Sequence, residues 1–202
     1  MRSILTSSLI ALSFAIAAPA MAKSYGYDTT VSAPLTSAVK IEVVLSEDMS
    51  HRANNLPEKL SDRSGARGLR SGFSGNGFYG ERDLERLTER LESKLEKKLM
   101  KKGIEVSDSA STVLRITIED ARPSRPTFQQ LSVEPGLSFK SFGLGGAELE
   151  AELIAAGGRS LGTMSYEWYE NDIRDARFGG TWDDAHRAFG RFASKAAKTL
   201  AN

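Results

Sequence analysis

Ala147-Glu148-Leu149-Glu150-Ala151-Glu152-Leu153 alternates apolar and acidic residues without a break. A period of two sends Ala147, Leu149, Ala151 and Leu153 to one face of a strand and the three glutamates to the other. Gly157-Gly158 follows, and Leu161–Tyr169 then returns with Met164, Tyr166 and Trp168 on one side. Two such runs joined across paired glycines read as a hairpin. A hairpin with one wet face must bury its other face against a second layer, so the flanking segments should supply helices.

Upstream, Val113–Glu119 alternates in the same way, with Leu114, Ile116 and Ile118 on one face and Arg115, Thr117 and Glu119 on the other. Pro123 and Pro126 end this run, because proline has no N–H to give to a ladder. Val39–Leu45 is a further alternating strand, burying Val39, Ile41, Val43 and Leu45. Between these two lies a helix over about 81–102, with Leu84, Leu87, Leu91, Leu95 and Leu99 as its apolar stripe. Lys94 breaks a strict heptad and so favours packing on a sheet over a coiled coil. Acids dominate its first half and lysines its end, as the helix dipole favours, and Gly103 is its stop. A last helix covers about 182–200, with Thr181 as N-cap and Asp184 as its capping-box partner. Its buried stripe is Trp182, Ala185, Phe189, Phe192, Ala196 and Leu200.

The order β-α-β-β-β-α predicts an α+β two-layer sandwich: a four-stranded sheet with two amphipathic helices on one face. The first helix is the crossover if strands one and two are parallel neighbours. This single domain spans 39–202, after a loose polar leader over 23–38. The stretch at about 50–80 is a loop rich in Gly, Ser and Arg, and 61–80 within it is expected to be mobile and dispensable for folding, since it offers little to bury.

The chain opens with Met1-Arg2, an apolar run from Ile4 to Ala18, and Ala20-Met21-Ala22. Positive start, short apolar run and small-residue site, in that order, make a secretory signal peptide over 1–22, cleaved after Ala22. The run falls short of the roughly 20 residues that span a bilayer, and no later segment is apolar enough. There is no cysteine, hence neither a disulfide nor an acylated N-terminal thiol. A periplasmic location is the expectation. The chain carries 27 Lys+Arg against 26 Asp+Glu, and loss of Arg2 leaves 26 of each. A neutral chain with mixed charges argues against nucleic-acid binding.

Three segments carry a resemblance: Arg122-Pro123-Ser124-Arg125-Pro126-Thr127, then Phe142-Gly143-Leu144-Gly145-Gly146-Ala147-Glu148-Leu149-Glu150-Ala151, then Trp182-Asp183-Asp184-Ala185 with Phe189 and Arg191-Phe192-Ala193. Over about residues 80–200 the chain resembles a family of exported proteobacterial envelope proteins classed as a domain of unknown function. Many members of that family are lipoproteins; this chain lacks their acylated cysteine. The element order also looks like the small α+β domains of envelope assembly and transport-accessory proteins. The resemblance implies an envelope role and supplies no activity, cofactor or site residue.

Motifs for chemistry are weak. Gly75-Asn76-Gly77-Phe78-Tyr79-Gly80 spells a dinucleotide fingerprint, but no strand precedes it, and Glu81 and Asp83 stand where a phosphate would sit. Gly72-Phe73-Ser74-Gly75 begins like a nucleophile elbow, but Asn76 replaces the final glycine. His51 and His186 are the only histidines, one in a polar stretch and one flanking a buried stripe. Asp172, Asp175, Asp183, Asp184 and His186 match no calcium-loop spacing. Arg63, Arg67 and Arg70, near Phe73, Phe78 and Tyr79, read as a solvated linker before an anion or lipid site. Tyr166, Trp168 and Tyr169 read as core before partner surface.

The strongest binding candidates lie in the long connection 122–142: Arg122 and Arg125 between prolines, with Phe128, Phe139 and Phe142 as apolar anchors. The competing reading folds these phenylalanines over the end of the sheet. The functional expectation is a non-enzymatic periplasmic accessory or binding protein acting through contacts with an envelope protein, without a cofactor or metal. The alternatives are an enzyme or metal-dependent catalyst with an unrecognised site, and an envelope lipid or glycan binder.

Overall fold

The computed structural model describes residues 26–55, 72–75, 77–172, 174–175 and 179–202. Its strands are β1 (Gly26–Thr29), β2 (Val39–Leu45), β3 (Thr112–Arg122), β4 (Gly146–Ile154) and β5 (Ser160–Tyr169). Its α-helices are α1 (Glu47–Asn54), α2 (Glu81–Lys101), α3 (Phe128–Val133) and α4 (Asp183–Ala201), with a 3-10 turn at Gly72–Gly75. The signal peptide, the candidate arginines Arg63, Arg67 and Arg70, and Asn76 fall outside the described residues.

The sheet runs β1-β5-β4-β3-β2, with only β2 and β3 parallel. The parallel pair is joined through α2, the crossover expected from the sequence. The hairpin is in register from Gly146↔Tyr169 to Leu153↔Gly162. Its alternation holds: Leu149 and Leu153 are buried and Glu150 is exposed.

The sheet has five strands where the sequence suggested four. β1 lies in the leader, antiparallel to β5 from Gly26↔Glu167 to Thr29↔Met164. It is short and has no apolar alternation. Cross-strand pairing with a chain end far along the sequence, plus a 2.7 Å bond between the Tyr27 and Thr199 hydroxyls, holds it. Two α-helices were also unforeseen. α1 begins at Ser46, whose Oγ accepts from the Met49 N–H at 3.2 Å, and it buries Met49 and Ala53. α3 carries a capping box in which Thr127 and Gln130 satisfy each other's backbone N–H.

The core lies between the apolar face of the sheet and α2 and α4. All five leucines of the α2 stripe are buried, as is the whole foreseen stripe of α4. The two helices run parallel: Trp182 Nε1 donates to Asp83 at their starts, and Lys94 lies opposite Gly190 further along. Gly103 stops α2 at φ +80°, with the Ile104 N–H reaching back to the Leu99 carbonyl. The start of α4 differs from expectation. Trp182 precedes its first turn without a side-chain cap, and Asp184 is turned inward toward Ser124.

The far end of the glycine-rich stretch is structural. Phe73, Ser74 and Tyr79 are buried, and the Tyr79 hydroxyl donates to the Ser74 carbonyl at 2.7 Å. Tyr79 also meets Trp182 edge-on, with ring centroids 5.3 Å apart. Aromatic side chains at the end of a low-complexity run recovered the entropy cost that its composition implied. The expectation that all of 61–80 is dispensable therefore fails for 72–75 and 77–80.

Candidate functional site

The connection between β3 and β4 is tied down at four points. The Ser124 N–H donates to the Thr181 carbonyl at 2.6 Å, and its hydroxyl donates to Asp184 Oδ2 at 3.0 Å. Gln130 Nε2 donates to the Phe73 and Gly77 carbonyls, both at 2.9 Å. The Gly143 N–H donates to the Ser124 carbonyl at 2.9 Å, and the Gly145 N–H to Asp184 Oδ2 at 3.3 Å. A Cβ at Gly145 would stand 2.7 Å from the Arg122 carbonyl oxygen and 2.8 Å from Ser124 Oγ, so only glycine fits there. The three segments that carried the family resemblance thus converge on one buried clasp: Ser124, Gly145 and Asp184.

The clasp holds the intervening chain so that its aromatic side chains face outward. Phe128, Phe139 and Phe142 are 77 %, 67 % and 51 % exposed. Phe128 and Phe139 meet edge-to-face with centroids 5.7 Å apart. Arg125 Nη1 donates to the Phe139 carbonyl at 2.9 Å, bracing the far arm of the connection. Exposed aromatic pairs on a braced backbone lose little freedom when a partner covers them.

Arg122 stands apart from this patch. β3 continues through it, past a register shift between Ile118 and Asp120. Its Nε donates to Asp120 Oδ2 at 2.8 Å, and its guanidinium lies 4.3 Å from the centre of the Tyr169 ring. Arg52 Nη2 donates to Asp120 Oδ1 at 2.8 Å, and the Tyr169 hydroxyl donates to Oδ2 at 2.6 Å. Burial opposes the Asp120 charge, but Arg52, Arg122 and the Tyr169 hydroxyl outweigh it and hold the carboxyl below its usual range. Burial, next to the Asp120 charge, pushes the Tyr169 hydroxyl far up, so it stays a donor. This cluster joins α1 to the sheet. Composition gave no sign of it, because Arg52 and Asp120 lie on separate elements.

Phe128 also lines a groove of about 850 Å³ that runs along the starts of α2 and α4, past Arg82, Arg86, Arg90, Trp182 and His186 and the carboxylates of Asp83, Glu89 and Asp183. Burial first, then Arg90 and Lys94, lower the His186 pKa to about 4, against a smaller opposing effect of Asp183. At neutral pH the ring is uncharged. The sequence candidates for metal ligation do not assemble. Asp172 pairs with Arg174, Asp183 accepts from the Gly180 N–H at 2.8 Å, and Asp184 serves the clasp. Among the described residues, no group of three His, Cys, Asp or Glu side chains is placed to hold a metal ion. Nor, among them, is any helix long and apolar enough to cross a membrane.

No family model matches the chain, and no curated protein matches it. Among solved structures, it is similar to a PelC dodecamer from Paraburkholderia phytofirmans, with 10 % identity, 87 % of this chain and 96 % of that chain covered, and a TM-score of 0.44. It is similar to protein XCC0632 from Xanthomonas campestris, described by the family model DUF330, with 12 % identity, 83 % and 87 % covered, and a TM-score of 0.47. A minor lipoprotein from Acinetobacter baumannii shows 12 % identity, 84 % and 93 % covered, and a TM-score of 0.34. A protein of a domain of unknown function and a lipoprotein are thus among the structures this chain is similar to. Likenesses at these scores carry no argument about assembly, partner or activity.

Proposed function

We propose that this is a non-enzymatic accessory or binding protein of the bacterial envelope, exported to the periplasm and acting through protein contacts. The observation that carries the reading is the outward-facing aromatic pair of Phe128 and Phe139, with Phe142 half exposed further along, on a connection clamped by Ser124, Gln130 and Gly145. A solvated connection gains little from the exposed rings of Phe128 and Phe139, whereas a partner that buries them gains roughly 1.5–3 kcal/mol for each. Arg125 supports the patch by bracing the Phe139 backbone. Arg122 contributes from behind, by fixing the end of β3 through Asp120.

The test is in vivo crosslinking followed by mass spectrometry. Phe128→Ser combined with Phe139→Ser should remove a crosslinked envelope protein while the melting temperature stays that of the parent. If every crosslink survives the double substitution, the patch is not the contact surface.

A further inference from the structure

The charges of α2 are arranged in an unusual way. Arg82, Arg86, Arg90, Lys94 and Lys98 follow one another at steps of four, and Glu81, Glu85 and Glu89 form a separate row. Glu92 and Glu96 continue the acidic row, and Lys97 and Lys101 the basic one. Every charged pair at i,i+4 is therefore of like sign, which destabilises an isolated helix by a few tenths of a kcal/mol per pair. A solvated helix placed for stability alone would alternate the signs. Here the signs are segregated to two sides of one helix.

The neighbouring elements show which side is which. The acidic row borders α1, where Asn54 Nδ2 donates to Glu81 at 2.9 Å. The basic row borders α4, where Lys94 faces Gly190 and Arg90 and Lys94 act on His186. Beyond its capping turn, the charged residues of α4 are all cations: Arg187, Arg191, Lys195 and Lys198. Arg187 is committed to Glu170 at 3.0 Å. Arg191 lies over the Trp168 ring at 4.3 Å and Lys195 over Tyr27 at 5.4 Å, extending the band toward β1. Two acids lie at the seam: Asp83 accepts from Trp182 and feels the charges of Arg86 and Arg82, and Asp183 accepts from the Gly180 N–H. Lys94 is held below its usual pKa first by burial and then by the charges of Arg90, Lys98 and Lys97.

The other side of the molecule has the opposite character. The water-facing residues of the sheet include Glu42, Glu148, Glu150, Glu152 and Glu167, set side by side by the registers Glu42↔Arg115↔Glu152 and Glu148↔Glu167. A formally neutral chain therefore carries a basic band along the seam of α2 and α4, with the acidic row of α2 to one side of it and a glutamate-rich sheet face behind.

We propose that the helical face formed by Arg82, Arg86, Arg90 and Lys94 of α2 with Arg191 and Lys195 of α4 docks this protein on an anionic lipid surface. The basic face is broad rather than cleft-like: two parallel helices side by side, each roughly 30 Å long. A planar field of negative charge engages such a face along its whole length and orients the molecule by repelling the acidic sheet. Met100, 61 % exposed, lies five helical turns beyond Arg82 in the same row, where an apolar side chain suits a headgroup layer. The two proposed surfaces meet where Phe128 lines the same groove as Arg82, Arg86 and Arg90, and a vesicle assay and a protein crosslink read them separately.

The experiment is co-sedimentation of the purified protein with vesicles of phosphatidylglycerol in phosphatidylcholine, against vesicles of phosphatidylcholine alone. Binding is expected only to the anionic vesicles at ~0.1 M salt, and it should vanish at ~1 M salt, where charges are screened within a few ångströms. Arg86→Glu with Arg90→Glu and Lys195→Glu should weaken it by at least about a hundredfold. Glu150→Gln with Glu152→Gln, on the other face, should leave it unchanged. If the triple reversal unfolds the protein, Arg86→Gln with Lys195→Gln should still weaken binding by roughly tenfold or more at an unchanged melting temperature. Equal binding to both vesicle types, no binding to anionic vesicles, or binding to soluble polyglutamate with none to vesicles would each overturn the proposal.

Discussion

Ser124 Oγ stands 3.0 Å from Asp184 Oδ2, and the bond fastens the segment that leaves β3 to the first turn of α4. Both residues are fully buried, and the Asp184 N–H donates back to Ser124 Oγ at 3.2 Å. A buried carboxylate shared between a hydroxyl and the Gly145 N–H is worth more to the fold than an exposed cap. Ser124→Ala should cost about 1–2 kcal/mol and Asp184→Ala more, because it strands both donors. Urea unfolding of the two single variants and the double variant should show non-additivity above about 0.5 kcal/mol. Additive losses would mean the bond contributes nothing of its own.

Asp120 should set part of the acid stability. Its folded pKa is depressed, so its contribution is complete above the unfolded value of about 3.9 and is lost as pH falls through the lower folded value. Asp120→Ala at neutral pH leaves Arg52 and Arg122 without their shared partner and should cost about 3 kcal/mol, the low end for such a cluster because both guanidiniums reach water. Asp120→Asn should unfold with a shallower dependence on pH below about 4, followed by circular dichroism.

His186 acts in a different window. Its folded pKa of about 4 lies below the unfolded value of about 6.5. The neutral ring is what the fold accommodates, so stability is full above about pH 6.5 and declines from there toward pH 4. The decline should amount to on the order of 2 kcal/mol. His186→Gln should remove this slope from the melting temperature between pH 6.5 and 4, and an unchanged slope would assign it to other groups.

Tyr79 should behave as a core residue despite its glycine-rich neighbourhood. Tyr79→Ala removes a fully buried ring that packs on Trp182 and should cost about 3–5 kcal/mol. Tyr79→Phe loses only the bond to the Ser74 carbonyl, about 1 kcal/mol. Denaturant midpoints of the two variants separate these contributions.

The sheet and helix layers were legible because their signals are periodic. The α2 leucines, the alternation of β2 to β5 and the Gly157-Gly158 turn each announce a buried face. β1 was not legible, since four residues with one apolar side chain carry no period, and its partner lies at the far end of the chain. α1 and α3 were hidden for a related reason: each is short, and a side-chain cap at Ser46 or Thr127 outweighs any stripe. The phenylalanine patch was legible as composition, because apolar residues in a long polar connection stand out. Arg122 was misplaced with that patch because Pro123 suggested that β3 had already ended. The bulge and the distant Arg52 that turn Arg122 toward Asp120 depend on tertiary structure alone.

The pairing of β1 with β5 bears on the timing of folding. A chain that emerges from its N-terminus presents Gly26–Thr29 early among the described elements, yet the edge that receives them ends at Glu167. Tyr27 must wait longer still for Thr199, near the last turn of α4. The outermost strand is therefore the earliest to emerge and among the last to dock, and its loop-closure entropy is offset only when nearly the whole polypeptide is in hand. Until then the β5 edge stays open, and the nascent protein remains an incomplete sheet that premature closure cannot trap.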